Sequence, residues 1–145
     1  MAVEAPSSTR RILELEEYMT LELARDVNRV AGELGLFPKV FLEVNVAGES
    51  SKFGFKPEAL RTAMEELLTL DRVCIDGLMT IPPFATEPEA SRCYFAALRE
   101  LRDRLAQEFR APLPELSMGM SGDFDAAIFC GATEVRVGTA IFGHR

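Results

Sequence analysis

Arg136 stands between Val135 and Val137 in a strand-like run, and a guanidinium in such a place needs an anionic or hydrogen-bonding partner, because a charge among packed apolar side chains is costly without one. Just downstream, Gly138-Thr139 offers a close backbone approach and a hydroxyl. Upstream, Ser121-Gly122 opens a short helix-like segment after the apolar run ending at Met120. The first N–H groups of a helix lack intrahelical partners and its dipole favours an anion, so the two turns together suit a phosphate ester. Each feature also has a plainer reading. Ser121-Gly122-Asp123 is an ordinary capping sequence, Gly138 serves equally as a packing or bulge residue, and Arg136 could pair with Glu43 or Glu134 as a structural ion pair. No nucleophile, Walker motif or metal cluster is visible, so the expectation is no catalytic residue and no metal site. The single histidine, His144, reads as a surface residue, and the acid pairs Glu16-Glu17 and Glu65-Glu66 read as solvated helix faces.

The elements that must position these groups follow from periodicity. Ala24, Val27, Val30, Ala31 and Leu34 recur at helical spacing, with Thr20 or a neighbour as cap and Gly35 as stop. Residues 40–46 alternate as a strand with Glu43 and Asn45 on a polar face. Pro57 starts a helix whose apolar face is Leu60, Met64, Leu67 and Leu68. Residues 73–81 form a second strand, closed by Pro82-Pro83, and a long helix over 87–109 carries Tyr94, Leu98, Leu101 and Leu105 as its stripe. A third strand over 115–120, a short helix over 123–130 stopped at Gly131, and a fourth strand over 134–142 complete the order. Strands joined only through helices imply parallel pairing with right-handed crossovers, hence an α/β chain. Ser117 and Gly119 share one face with small groups while Met118 and Met120 take the other. With Glu43, Asn45, Arg136 and Gly138, three of four strands then present a polar or tiny face, which suits the lumen of a barrel. In eight-stranded α/β barrels phosphates commonly sit at the last two strand ends beside a short helix.

Composition bounds the function classes. The chain has 145 residues, 48% of them hydrophobic, enough for one soluble domain, with residues 1–8 at most a loose leader. A net charge of −7 gives no general field for nucleic acid or acidic membranes, so anions must be held locally. The N-terminus lacks the apolar core of a signal peptide and no run is long enough to span a bilayer, which predicts a cytoplasmic protein. Cys74, Cys93 and Cys130 form no CxxC pair and read as reduced, buried thiols.

Three stretches, VNVAGESSKFGF, GLMTIPP and LSMGMSGDFDAAIFCGATEVRVGTAIFG, resemble the signatures of the pyridoxal 5′-phosphate homeostasis protein family, from about Thr20 onward. The resemblance implies a fold like the barrel of alanine racemases, a cofactor bound through a Schiff-base lysine, and a role in buffering or delivering that cofactor without an established catalytic activity. It implies that Arg136 faces the pyridine nitrogen, and that Ser117, Gly138 and Thr139 hold the phosphate with help from the turn at Ser121-Gly122. An arginine there leaves the ring nitrogen unprotonated and weakens the electron sink of carbanion chemistry.

The family places its Schiff-base lysine at the end of the first strand, whereas this chain has only Lys39, Lys52 and Lys56, none in that context. A complete barrel takes ~250 residues. The expectation is therefore a partial (β/α)8 barrel of TIM type holding roughly strands four to eight, with Glu17 to Thr20 a remnant of the fourth. It is expected to be a truncated, non-catalytic member with weak non-covalent or no binding of pyridoxal 5′-phosphate alone. The alternatives are an interaction module that completes a barrel with a second copy or an N-terminal half-barrel, and, ranked last, a fragment of a racemase-type enzyme. An open parallel sheet also predicts self-association through its free edge.

Overall fold

The structure is a computed structural model that describes residues 2–4, 12–14, 21–49 and 54–143. Four parallel strands form its centre: β3 (Lys39–Glu43), β4 (Cys74–Met79), β5 (Glu115–Met120) and β6 (Glu134–Arg136), neighbours in that order. Helix α2 (Pro57–Thr69) connects β3 to β4, and α3 (Arg92–Phe109), entered through a 3-10 turn at Pro88–Ser91, connects β4 to β5. The short α4 (Phe124–Phe129) connects β5 to β6. α1 (Leu21–Leu34) precedes β3, and α5 (Thr139–Phe142) follows β6. The parallel, helix-connected sheet expected from the sequence is therefore present.

Two further strands extend the sheet beyond β3. β1 (Ala2–Glu4) pairs antiparallel with both β3 and β2 (Ile12–Glu14), giving the order β2-β1-β3-β4-β5-β6. Residues 2–4 are thus a strand, where the sequence suggested a loose leader. The apolar edge of β3 leaves backbone donors and acceptors that a neighbouring strand satisfies. The expected fourth-strand remnant at 17–20, the cap at Thr20, Lys52 and His144 lie outside the described residues.

One core fills the space between the sheet and the helices. Val40, Leu42, Val44, Leu78, Leu116 and Met118 meet Leu60, Met64 and Leu67 of α2, Phe95, Leu98, Leu101 and Leu105 of α3, and Ala126 and Ala127 of α4. A separate buried pair, Phe41 and Met79, forms a second cluster. The α3 stripe contains Phe95 instead of Tyr94. Both fit the helical spacing, but Phe carries no hydroxyl to satisfy, and Tyr94 is left half-buried. Leu68 of α2, and Val30 and Leu34 of α1, are exposed, because each helix meets its neighbours along a narrower band than its apolar face. Of the thiols only Cys130 is buried; Cys74 and Cys93 are exposed, and all three are free. Arg25 of α1 pairs with Glu66 of α2, and Arg61 of α2 with Glu108 of α3. Hydrogen bonds from these arginines hold both carboxyls below the usual carboxylate range. Among the described residues no helix is long and apolar enough to cross a membrane.

The last strand is shorter than expected. β6 ends at Arg136, and residues 139–142 are helical, with the Ile141 and Phe142 N–H groups donating to the Gly138 carbonyl at 3.0 and 2.8 Å. Within the described sheet nothing pairs with the outer side of β6, so the segment satisfies its backbone locally as a helical turn.

Candidate functional site

The polar residues singled out in the sequence gather where β4, β5 and β6 end. Gly119 decides how β5 gets there. Its φ of +102° is one that only glycine adopts readily, and the register with β6 shifts between Ser117 and Met120. A Cβ built on Gly119 would meet the Ala127 Cβ at 2.6 Å, so this position faces α4. The simple alternation expected for Ser117 and Gly119 is therefore broken. The kink carries Met120 level with Arg136 and delivers Ser121 to the start of the next turn.

That turn joins the loops after β5 and β6. The Gly138 N–H donates to the Ser121 Oγ at 3.1 Å. Asp123 does not cap α4 with its side chain; its Oδ1 accepts from the Met120 N–H at 2.7 Å and closes the turn backwards. The capping reading of Ser121-Gly122-Asp123 is thus not realised in that form. Gly138 has a φ of −116°, open to any residue, and neither Gly122 nor Gly138 would bring a Cβ within 4 Å of another group. Neither backbone strain nor close packing calls for glycine at these two positions. Their missing side chains leave open space beside the Ser121–Gly138 junction, next to the exposed Thr139.

Arg136 reaches across the sheet, its Nη2 donating to the Thr80 carbonyl at 3.2 Å. Ser117 lies deeper, paired with Glu134 in register, and its hydroxyl donates to the Glu134 Oε1 at 2.9 Å. Ser117 sits four residues before Ser121, about 13 Å of extended strand at the usual rise, and the kink shortens this only in part. The structure therefore brings together Ser121, Gly122, Gly138 and Thr139 with Arg136 behind them, and sets Ser117 one layer below. Asn45, expected on the polar face, serves its own loop: its Nδ2 donates to the Glu49 carbonyl at 2.7 Å and its Oδ1 accepts the Glu49 N–H at 3.2 Å.

The sequence reading did not name Thr80, and it named Glu134 only as a candidate ion-pair partner of Arg136 and Asp123 only as part of a capping sequence. Thr80 had a signal. It shares the parity of the core residue Leu78, and a threonine in core register must find an acceptor for its hydroxyl. Glu134 and Asp123 act on neighbours fixed only by the sheet register and the Gly119 kink, which no local pattern reveals.

Known proteins resemble this chain in sequence and fold. The profile of the family described as alanine racemase, N-terminal domain, matches residues 18–145. The pyridoxal phosphate homeostasis protein of Aquifex aeolicus is 50% identical over 123 residues, covering 85% of this chain and 54% of that protein. Its namesake in Synechocystis is 36% identical over 143 residues, covering 96% of this chain and 66% of the relative. The chain thus spans between about half and two thirds of these relatives' lengths. The structure of PipY from Synechococcus elongatus PCC7942, with PLP bound, superposes with a TM-score of 0.81 at 38% identity, covering 87% of this chain and 58% of that one. Alanine racemase of Clostridium difficile 630, at 24% identity and a TM-score of 0.68, shares the fold over 89% of this chain and 35% of its own.

Proposed function

The chain belongs to the alanine racemase N-terminal domain family, alongside the pyridoxal phosphate homeostasis proteins, and from that premise we propose that it binds pyridoxal 5′-phosphate non-covalently at the ends of β5 and β6, for storage or delivery and not for catalysis. The observation that carries this reading is the Gly138 N–H to Ser121 Oγ bond, which holds two glycine-opened turns at one place beside Arg136. The amides after Ser121 and Gly138 and the Thr139 hydroxyl would hold the phosphate there. Arg136 would donate to the ring nitrogen, and because a guanidinium does not give up its proton, that nitrogen would stay unprotonated. Ser117, buried and held on Glu134 one layer down, is not assigned a ligand contact. When bound, the cofactor supplies an aldehyde and an electron-withdrawing ring. Lys39 begins β3 at the opposite end of the strands and Lys56 precedes α2, so neither is assigned as a covalent anchor.

Equilibrium dialysis tests this. The parent chain should retain pyridoxal 5′-phosphate, with inorganic phosphate competing. Thr139→Val should lose about 1 kcal/mol, a roughly fivefold weaker Kd, through one missing hydrogen bond to a charged group. Arg136→Ala should also weaken retention. Borohydride should fix no absorbance band on the protein. Equal retention by the parent and both variants refutes the site, and a borohydride-fixed band refutes non-covalent binding.

A second reading, an interaction module, draws on β6, whose outer side is the end of the described sheet. It predicts mass that rises with concentration in sedimentation, and a constant monomer mass refutes it.

A further inference from the structure

Thr80 ties together the ends of four strands. It is 1% exposed. Its Oγ1 donates to the Val44 carbonyl at 2.7 Å, at the end of β3. Its N–H donates to the Ser117 carbonyl of β5 at 3.2 Å. Its own carbonyl accepts from Arg136 of β6. On the other side, the Val44 N–H donates to the Met79 carbonyl at 2.8 Å, so residues 79 and 80 clasp Val44 from both directions.

We propose that Thr80 is a positioning residue that fixes the orientation of the Arg136 guanidinium, and through it the affinity for an aromatic nitrogen acceptor; this rests on the reading of Arg136 as the ring contact. An arginine loses considerable rotamer freedom on being held in one place, so a side chain fixed before the ligand arrives binds it better than one that must be ordered then. A backbone carbonyl suits this task because it orients the guanidinium without neutralising its charge. The carbonyl must itself be immobile, and at Thr80 this is achieved from three sides. The hydroxyl anchors it to β3, the amide anchors it to β5, and Pro82 confines the intervening Ile81 to extended backbone. Threonine's branched Cβ also limits χ1, which keeps the hydroxyl on its acceptor. Valine preserves that shape but leaves the Val44 carbonyl without this donor, so the end of β4 shifts and the Arg136 contact loosens.

The test uses the full chain and the variants Thr80→Val and Thr80→Ser. In nitrogen-15 spectra of the ligand-free parent, the Arg136 Nη protons should be resolved by hindered rotation. The serine variant should keep this signature and the valine variant should lose it. In dialysis, Thr80→Val should weaken pyridoxal 5′-phosphate and phosphate-free pyridoxal by about tenfold while leaving inorganic phosphate unchanged. An unaltered Arg136 signature in Thr80→Val, or equal weakening of all three ligands, overturns the proposal. If Thr80→Val does not fold, the parent and Thr80→Ser spectra decide: free rotation in the folded parent overturns it, and hindered rotation kept by serine supports it. A parent that binds no pyridoxal 5′-phosphate refutes the proposed function, and the spectra alone then judge Thr80.

Discussion

Gly119→Ala tests the geometry on which the site depends. Two penalties are separable. The φ of +102° lies where a side chain is strained, at a cost of about 1–3 kcal/mol. The new methyl would also stand 2.6 Å from the Ala127 Cβ, 3.2 Å from the Phe124 Cα and 3.3 Å from the Val135 Cγ1. Two of these three neighbours belong to α4, so relief requires α4 to move away from β5, and overpacking of this kind costs about 1–3 kcal/mol. The sum is ~2–6 kcal/mol, measurable from urea unfolding by linear extrapolation. Ala127→Gly alone should cost about 2 kcal/mol, from a glycine inside a helix and a lost buried methyl. In the Gly119→Ala background it should cost much less, since it removes the shortest contact. A coupling of about 1–2 kcal/mol in the cycle is expected, with the backbone strain unrelieved. Because the kink delivers Ser121 to Gly138, exchange of the Gly138 amide proton should accelerate in Gly119→Ala. Additivity within ~0.5 kcal/mol, or a Gly119→Ala chain as stable as the parent, refutes the reasoning.

Two further outcomes follow from the exposed pairs and the sheet edge. Glu66 and Glu108 have folded pKa values lowered by hydrogen bonds from Arg25 and Arg61, so the stability they contribute is complete above the ordinary carboxylate pKa of about 4.3 and is lost as pH falls through the lower folded values. The urea midpoint should therefore drop with acidification below pH ~4.3, less steeply in Glu66→Gln/Glu108→Gln and in high salt; an identical slope in that variant refutes the assignment. Removing residues 1–14 should uncover the Lys39–Glu43 edge and cause self-association that grows with concentration; a shortened chain that sediments as a monomer at all concentrations, with parent stability, would show that β1 protects nothing.

The sheet was legible because its information is local. Each helix carries an apolar face within a few turns, as Leu60, Met64 and Leu67 do, and strands joined only through such helices can pair only in parallel. Arg136, Ser121, Gly138 and Thr139 stood out in the sequence because a charge among valines and glycines beside hydroxyls contradict their surroundings, and the structure brings them to one end of the sheet. What escaped depends on contacts across the sheet. Neither the departure of 139–142 from the strand nor the first strand at Ala2–Glu4 has a local signature, since each answers to whether a partner lies on the adjacent edge. Tyr94 and Phe95 compete for one stripe, and only packing chooses between them. The depth of Ser117 relative to Ser121 turns on a single positive φ at Gly119, which hydrophobic alternation cannot register.

The contacts of the site cross the strands and do not run along them. Ser117 of β5 holds Glu134 of β6, Thr80 after β4 holds Val44 after β3 and receives Arg136 of β6, and Ser121 holds Gly138. The Thr80–Val44 and Ser121–Gly138 bonds close gaps between neighbouring strand ends, where the ladder has stopped and backbone groups would otherwise need water, while the Arg136–Thr80 bond spans β5 from β6 to the end of β4. The same hydrogen bonds therefore finish the sheet and aim the groups proposed to face the ligand. A substitution that spreads two strand ends must disturb both at once, whereas one that only removes a group proposed to face the ligand, such as Thr139→Val, should leave the sheet intact. Stability and affinity should accordingly fall together across variants of Gly119, and separately across variants of Thr139.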